Sequence, residues 1–193
     1  SETASAICDV LYGDANPSGK LTVSMPQATG QEPLYYNHLP TGRPVAENAK
    51  IFAKYASNYL DVRNDALYPF GYGLSYTTYS YSDIHLSSNQ MSRDGSIKAT
   101  VTVTNTGTRD GDEIVQLYIH DKVASISRPV RELKGFKRIH LNAGESKDVS
   151  FDITPDLLKF YDANLKEVLE PGQFDLMIGA SSINNKTTLF TVY

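Results

Sequence analysis

IKATVTVTNTGTRDGDEIVQLYIHD, Ile97 to Asp121, is the stretch whose period decides the fold. Ile97, Ala99, Val101 and Val103 alternate with Lys98, Thr100, Thr102 and Thr104. A period of two puts the apolar residues on one face of an extended chain and the polar ones on the other. The cluster Asn105 to Asp112 then supplies turn residues, and Val115, Leu117 and Ile119 resume the alternation. Two half-buried strands joined by a turn are the expected result.

The pattern continues downstream. Leu133 to Leu141 reads as a strand, with Gly135 marking a bulge. The turn at Asn142 to Glu145 leads into Val149, Phe151 and Ile153. The turn at Glu170 to Gln173 leads into Phe174, Leu176 and Ile178, and Leu189, Phe190 and Val192 close the chain. Seven or eight short strands with regularly spaced turns, beginning near Thr78, predict an antiparallel β-sandwich. Ala99, Val101, Val103, Val115, Leu117, Val149, Phe151, Phe174, Leu176 and Ile178 are its expected core.

Upstream the texture differs. Ala4, Ile7, Cys8 and Leu11 recur at helical spacing, and Gly13 stops the helix. Leu21, Val23 and Met25 then alternate with Thr22 and Ser24, predicting a strand that Pro26 ends. Gln27 to Arg43 reads as loop, Ala46 to Tyr55 as a short helix, and YPFGYGLS, Tyr68 to Ser75, as a structured loop. One or two helices and one strand do not make a core. The chain is therefore divided at 77/78, with an incomplete unit over 1–77 and a sandwich over 78–193. An apolar strand without neighbours exposes unpaired backbone groups, so self-association is expected, with fold-back onto the sandwich as the alternative.

Net charge is −4 with pI near 5.5, which argues against nucleic acid or an anionic membrane as a partner. No apolar run approaches the roughly 18 residues of a membrane span, and no signal-peptide pattern opens the chain. One cysteine, Cys8, excludes an internal disulfide framework.

Chemistry-bearing motifs are sparse. His120, Asp121 and Ser125 suggest a hydrolase triad only by proximity in sequence, without a nucleophile elbow; a polar strand end is the alternative. His38, His85, His120 and His140 lack metal-ligand spacing. Arg109 to Glu113 lacks a calcium-loop pattern and reads as a solvated turn. Arg128, Arg131, Lys134, Lys137 and Arg138 read as a solvated strand face or an interdomain salt-bridge surface. Asn185 to Thr187 matches a glycosylation sequon. Tyr35, Tyr36, Tyr72 and Tyr76 suit either a sugar-stacking platform or packing within a domain junction. No metal-binding or cofactor-binding residue is assigned.

Four blocks carry a resemblance. GDANPSGKLTVSMP (13–26), YYNHLPTGRP (35–44), ALYPFGYGLSYTTYSYSD (66–83) and SRPVRELKGF (127–136) stand in the order found in family 3 glycoside hydrolases. The first two resemble in particular its bacterial periplasmic β-glucosidases. The resemblance implies the tail of an α/β sandwich domain followed by a fibronectin type III-like domain. It also implies a parent with an N-terminal barrel and the rest of the α/β sandwich as partners, acting on β-glucosides in the periplasm or after secretion. The nucleophilic Asp belongs to the barrel and the acid/base Glu to an earlier part of the second domain. No residue here matches either motif, so none is assigned as catalytic. Asp61 and Glu47 are taken as structural or surface carboxylates. The resemblance implies a non-catalytic portion in which the sandwich braces the catalytic domains; the alternative is a carbohydrate-binding or adhesion module built on its tyrosines.

Overall fold

The alternating stretch from Ile97 forms two long strands in a computed structural model that describes residues 2–45 and 54–193. Helix α1, Thr3–Tyr12, comes first. Gly13 ends it in the left-handed region at φ 84°, donating its N–H to the Val10 carbonyl. The expected helix over Ala46–Tyr55 lies almost wholly outside the described residues, as does Glu47.

From Tyr79 onward the chain is a sandwich. The first edge strand is broken into β1 (Tyr79–Tyr81), β2 (His85–Leu86) and β3 (Gln90–Met91). β4 (Ile97–Asn105), β5 (Gly111–Asp121), β6 (Glu132–Leu141) and β7 (Ser146–Ile153) follow. After the short helix α2 (Pro155–Leu158) come β8 (Phe160–Tyr161), β9 (Glu167–Val168), β10 (Gly172–Gly179) and β11 (Asn185–Val192).

In one sheet β4 pairs antiparallel with β7 on one side and with β1 and β2 in succession on the other. The second sheet runs β3-β11-β10-β5-β6. The edge strand thus changes sheets, and its last piece joins β11 in parallel, the one departure from antiparallel pairing among the described strands. This breakage, with the small β8–β9 hairpin, explains why the strands outnumber the seven or eight expected.

The sequence pattern translates directly into layers. All ten expected core residues are buried. On the outward face of β4, Thr100, Thr102 and Thr104 bond to Ser150, Asp148 and Ser146 of β7 at 2.7–2.8 Å. The bulge falls beside Gly135: Leu117 opposes Gly135 and Tyr118 opposes Leu133, leaving Lys134 as the extra residue.

Leu21 to Met25 is not a strand. Leu21 exchanges backbone bonds with Gly71 and Tyr72, and Met25 with Leu67 and Tyr68, leaving one isolated bridge. Val23 and Met25 face solvent. Lys20 before it is held by Glu113 and Gln27 after it by the Asp65 carbonyl, and the segment between them follows the 67–72 loop rather than a sheet edge. The unpaired edge on which strand-mediated self-association rested is therefore filled, at Leu21 and Met25, by the chain itself.

Val101 is 1% exposed between the two sheets. Val101→Asp buries an unpartnered carboxylate and is expected to cost ~3 kcal/mol or more. Urea denaturation of both proteins measures the loss directly.

Candidate functional site

β5 needs a cover on both faces. Val115, Leu117 and Ile119 point into the sandwich, yet Gln116 and Tyr118 on the opposite face are 3% and 0% exposed. What covers them is the chain preceding the sandwich. Tyr36 and Phe70 stack at 4.0 Å, and both meet the Tyr118 ring edge-on at 6.0 and 6.5 Å. The aromatic cluster excludes water from the middle of the junction.

Polar groups fix its register. The Gln116 amide nitrogen donates to the carbonyls of Gly71 and Ala180, while its oxygen accepts from the Tyr118 hydroxyl. Lys20 reaches both Glu113 oxygens at 3.2 Å, and Tyr81 donates to one of them at 2.9 Å. Glu113 is 3% exposed, so this is a buried ion pair with its carboxylate satisfied from two sides. Asn16 donates to the Asp110 carbonyl and accepts from the Ser75 hydroxyl and the Tyr76 N–H. Tyr76 in turn donates to the Val10 carbonyl near the end of α1. Asn16 and Lys20 both lie in the GDANPSGK block and reach the sandwich at Asp110 and Glu113.

Two glycines in YPFGYGLS are required by close approach. A Cβ on Gly71, at φ 80°, would lie 2.1 Å from the Gln116 amide oxygen. One on Gly73 would lie 2.4 Å from the Gly19 carbonyl oxygen. Deeper in the N-terminal segment, the buried Gln31 accepts from the Gln27 and Ala28 N–H groups and donates to the Arg63 and Asp65 carbonyls. Gln31, Glu113 and Gln116 carry no motif; they resemble ordinary surface polar residues until their neighbours are known.

The other sequence candidates disperse. His120 Nδ1 sits 2.7 Å from the Pro129 carbonyl, and among the described residues no hydrogen bond links it to Asp121 or Ser125. Ser125 instead donates its N–H to Glu170. No triad assembles. The Arg109–Glu113 stretch is only partly a solvated turn: Glu113 is buried, and Arg109 lies 5.6 Å over the Tyr76 ring and donates to Gly13. Three-way groups of His, Cys, Asp or Glu suited to a metal are absent among the described residues.

The basic run is paired throughout, with Arg128, Arg131 and Lys134 half-buried and Lys137 and Arg138 exposed on the strand face. Arg128 bridges to Glu132 at 2.7 Å beneath a cation–π contact with Phe160. Arg131 donates to the Ser182 carbonyl, Lys137 to the Ser150 carbonyl and Arg138 to Asp112. Tyr36 and Tyr76 belong to the junction, Tyr72 lies against Tyr68 at 5.1 Å, and Tyr35 stays 63% exposed. The Asn185 amide already donates to the Ser181 and Ser182 carbonyls. Cys8 and Asp61 are exposed.

Two carboxylates near the sandwich ends are perturbed in opposite senses. Burial pushes the Asp121 pKa up; the Val123 N–H and the Arg128 charge oppose it only in part. Neither Asp121 oxygen makes a well-formed hydrogen bond, and Arg128 Nε beside it is also unpartnered. Asp112 also feels burial, but hydrogen bonds from His140 and Arg138 outweigh it and hold its carboxyl below the usual range.

Two known families match parts of the chain. Residues 1–76 match the glycosyl hydrolase family 3 C-terminal domain, and residues 113–182 match a fibronectin type III-like domain. A periplasmic beta-glucosidase of Salmonella typhimurium is 52% identical over 190 residues, covering 98% of this chain and 25% of the relative. A putative beta-xylosidase of Formosa agariphila is 44% identical, covering 94% of this chain and 22% of the relative. The crystal structure of a Listeria innocua beta-glucosidase in complex with glucose superposes with a TM-score of 0.90 at 43% identity, over 95% of this chain and 25% of that one. The chain thus spans about a quarter of the length of the relatives it matches.

Lys20→Met strands the Glu113 carboxylate in the junction and is expected to cost ~3 kcal/mol, most of it recovered in Lys20→Met/Glu113→Leu. Chemical denaturation of the three proteins measures the cycle. Asp121→Asn is expected to raise the melting temperature at pH 7. The folded-state pKa of Asp121 is raised, so its ionisation cost appears as pH rises from the unfolded pKa through the folded one. The advantage of the variant should vanish by about pH 3, below the ordinary Asp range. A melting series across pH tests the sign.

Proposed function

The chain carries the C-terminal portion of a family 3 glycoside hydrolase, and from that premise we propose that it serves a β-glucosidase as a structural brace without supplying the reacting groups. The observation that carries this reading is the two-sided burial of β5. Residues 13–25 and 67–76 match the family's C-terminal domain, and they lie on the sandwich through aromatic stacking, a buried ion pair and amide bonds. Such a contact fixes the sandwich to whatever domain those residues complete.

The chemistry supports the same assignment. Retaining glycosidases need two carboxyl groups about 5–5.5 Å apart, one to attack and one to move a proton. The buried Glu113 is consumed by Lys20 and Tyr81, and Asp112 by Arg138 and His140. The reacting pair is proposed to reside in the N-terminal barrel and the earlier part of the α/β sandwich domain of the parent.

The surface left bare supports a larger partner. Ile7, Leu11 and Tyr12 on α1 are 54%, 72% and 83% exposed, and Leu60, Leu67 and Leu74 lie open as well. An apolar stripe of this kind marks an interaction surface. The proposed occupant is the remainder of the parent chain, with a second copy of this chain as the alternative when that remainder is missing. A periplasmic or secreted location is proposed from the Salmonella relative. No described helix is long and apolar enough to cross a membrane.

The purified chain is expected to show no turnover of chromogenic β-glucosides or β-xylosides. Activity that survives repurification and disappears on substituting a residue of this chain would overturn the assignment. In the full-length parent, Gly71→Ala is expected to lower thermal stability by several degrees, because the new methyl meets Gln116 and φ stays positive. Differential scanning calorimetry of both parents checks it.

A further inference from the structure

Arg131 is a cation that the junction desolvates without an acid beside it. It immediately precedes β6 and lies near Tyr118. Its Nη1 donates to the Ser182 carbonyl, and Ser182 donates its own N–H to the Phe70 carbonyl. Nε is buried and bonds to nothing, while Nη2, also without a bond among the described residues, is not enclosed. No carboxylate of the described residues stands within ion-pair distance of Arg131. Lys20, Arg128 and Lys134, likewise half-buried, each have one: Glu113 for the first and Glu132 for the other two. Burial accordingly pulls the Arg131 pKa below the ordinary arginine value.

The free groups define what is missing. The N–H bonds of Nε and Nη2 point the same way and form the edge on which arginine takes a carboxylate at two points. A neutral carbonyl would fill one of them and leave the charge uncompensated; a carboxylate fills both and supplies the opposite charge. The bond to Ser182 does not need this fork, since a lysine could make it.

The position of Arg131 indicates the source of the acid. Val130 donates its N–H to the His38 carbonyl and Leu133 donates to the Tyr36 hydroxyl, so Arg131 is flanked by the segment that matches the family's C-terminal domain. This chain spans 25% of the Salmonella relative, so most of the carboxylates available to such a protein lie outside it. We propose that a carboxylate of the remainder of the parent chain docks on the Nε–Nη2 edge of Arg131. The ion pair fastens the sandwich to the domain it braces and adds a charge-selective contact to the neutral aromatic one around Tyr118. The proposal rests on the bracing reading and names one of its contacts.

Two measurements on the isolated chain and on the full-length parent test it. Arg131→Met removes a desolvated charge from the chain but breaks an ion pair in the parent. It should leave the melting temperature of the chain unchanged or higher, and lower that of the parent by about 2 °C. Arg131→Lys keeps the charge and offers a primary amine to a zero-length carbodiimide cross-linker. Peptide mapping of the cross-linked Arg131→Lys parent should join position 131 to an Asp or Glu outside residues 1–193. The same variant of the isolated chain supplies the background of cross-links to its own acids. A parent with no cross-link from position 131 to an acid outside residues 1–193 overturns the proposal, as does an Arg131→Met shift of the same sign and size in both proteins. Bracing itself is read from the inactivity of the chain and from Gly71→Ala in the parent, so a parent that meets those expectations and lacks the cross-link defeats this ion pair alone.

Discussion

A strand buried on both faces is the constraint on which the molecule depends. The inward residues of β5 are satisfied by the opposite sheet, as in any sandwich. Its outward residues are not polar decoys: Gln116 and Tyr118 are as buried as the core. Left uncovered, they would expose a large aromatic ring and an amide at the centre of a sheet. The segments around Asn16, Lys20, Tyr36 and Phe70 are therefore bound to the sandwich by what β5 requires; Gly71 leaves room for the Gln116 amide, and Gly73 lets the chain pass close to the Gly19 carbonyl.

The energetics of this junction come from two unlike sources. Aromatic packing around Tyr118 is non-directional and removes water. The Lys20–Glu113 pair is directional and costly to desolvate, and Tyr81 with its hydroxyl makes the buried carboxylate tolerable. Burial and the nearby Glu113 charge together push the Tyr81 pKa up, which keeps that hydroxyl a donor across the ordinary pH range. Packing supplies most of the adhesion, and the polar groups select one register for it.

The N-terminal segment presents two sides with different logic. The side against the sandwich has its polar groups matched: Asn16, Lys20 and Gly71 all have defined partners there. The other side, along α1 and the exposed leucines, has apolar surface without cover. Tyr36 and Phe70 stack on one another and meet Tyr118 edge-on, so this pair belongs to the side matched to the sandwich.

The sandwich was legible in the sequence because its period is local. Val101 is inward because Thr100 and Thr102 are outward, and no distant residue is needed to know it. The bulge beside Gly135 and the stop at Gly13 were legible for the same reason: each depends on backbone conformation within a few residues. The four motif blocks likewise carried the family. The roles of Asn16, Lys20, Glu113 and Gln116 were not legible, since each is decided by a partner between 45 and 94 residues away. Leu21 to Met25 shows the limit most clearly. Its alternation is that of a strand, but extended backbone becomes a sheet only if a neighbour offers a matching row of donors and acceptors, and tertiary structure supplied a bent loop at 67–72 instead.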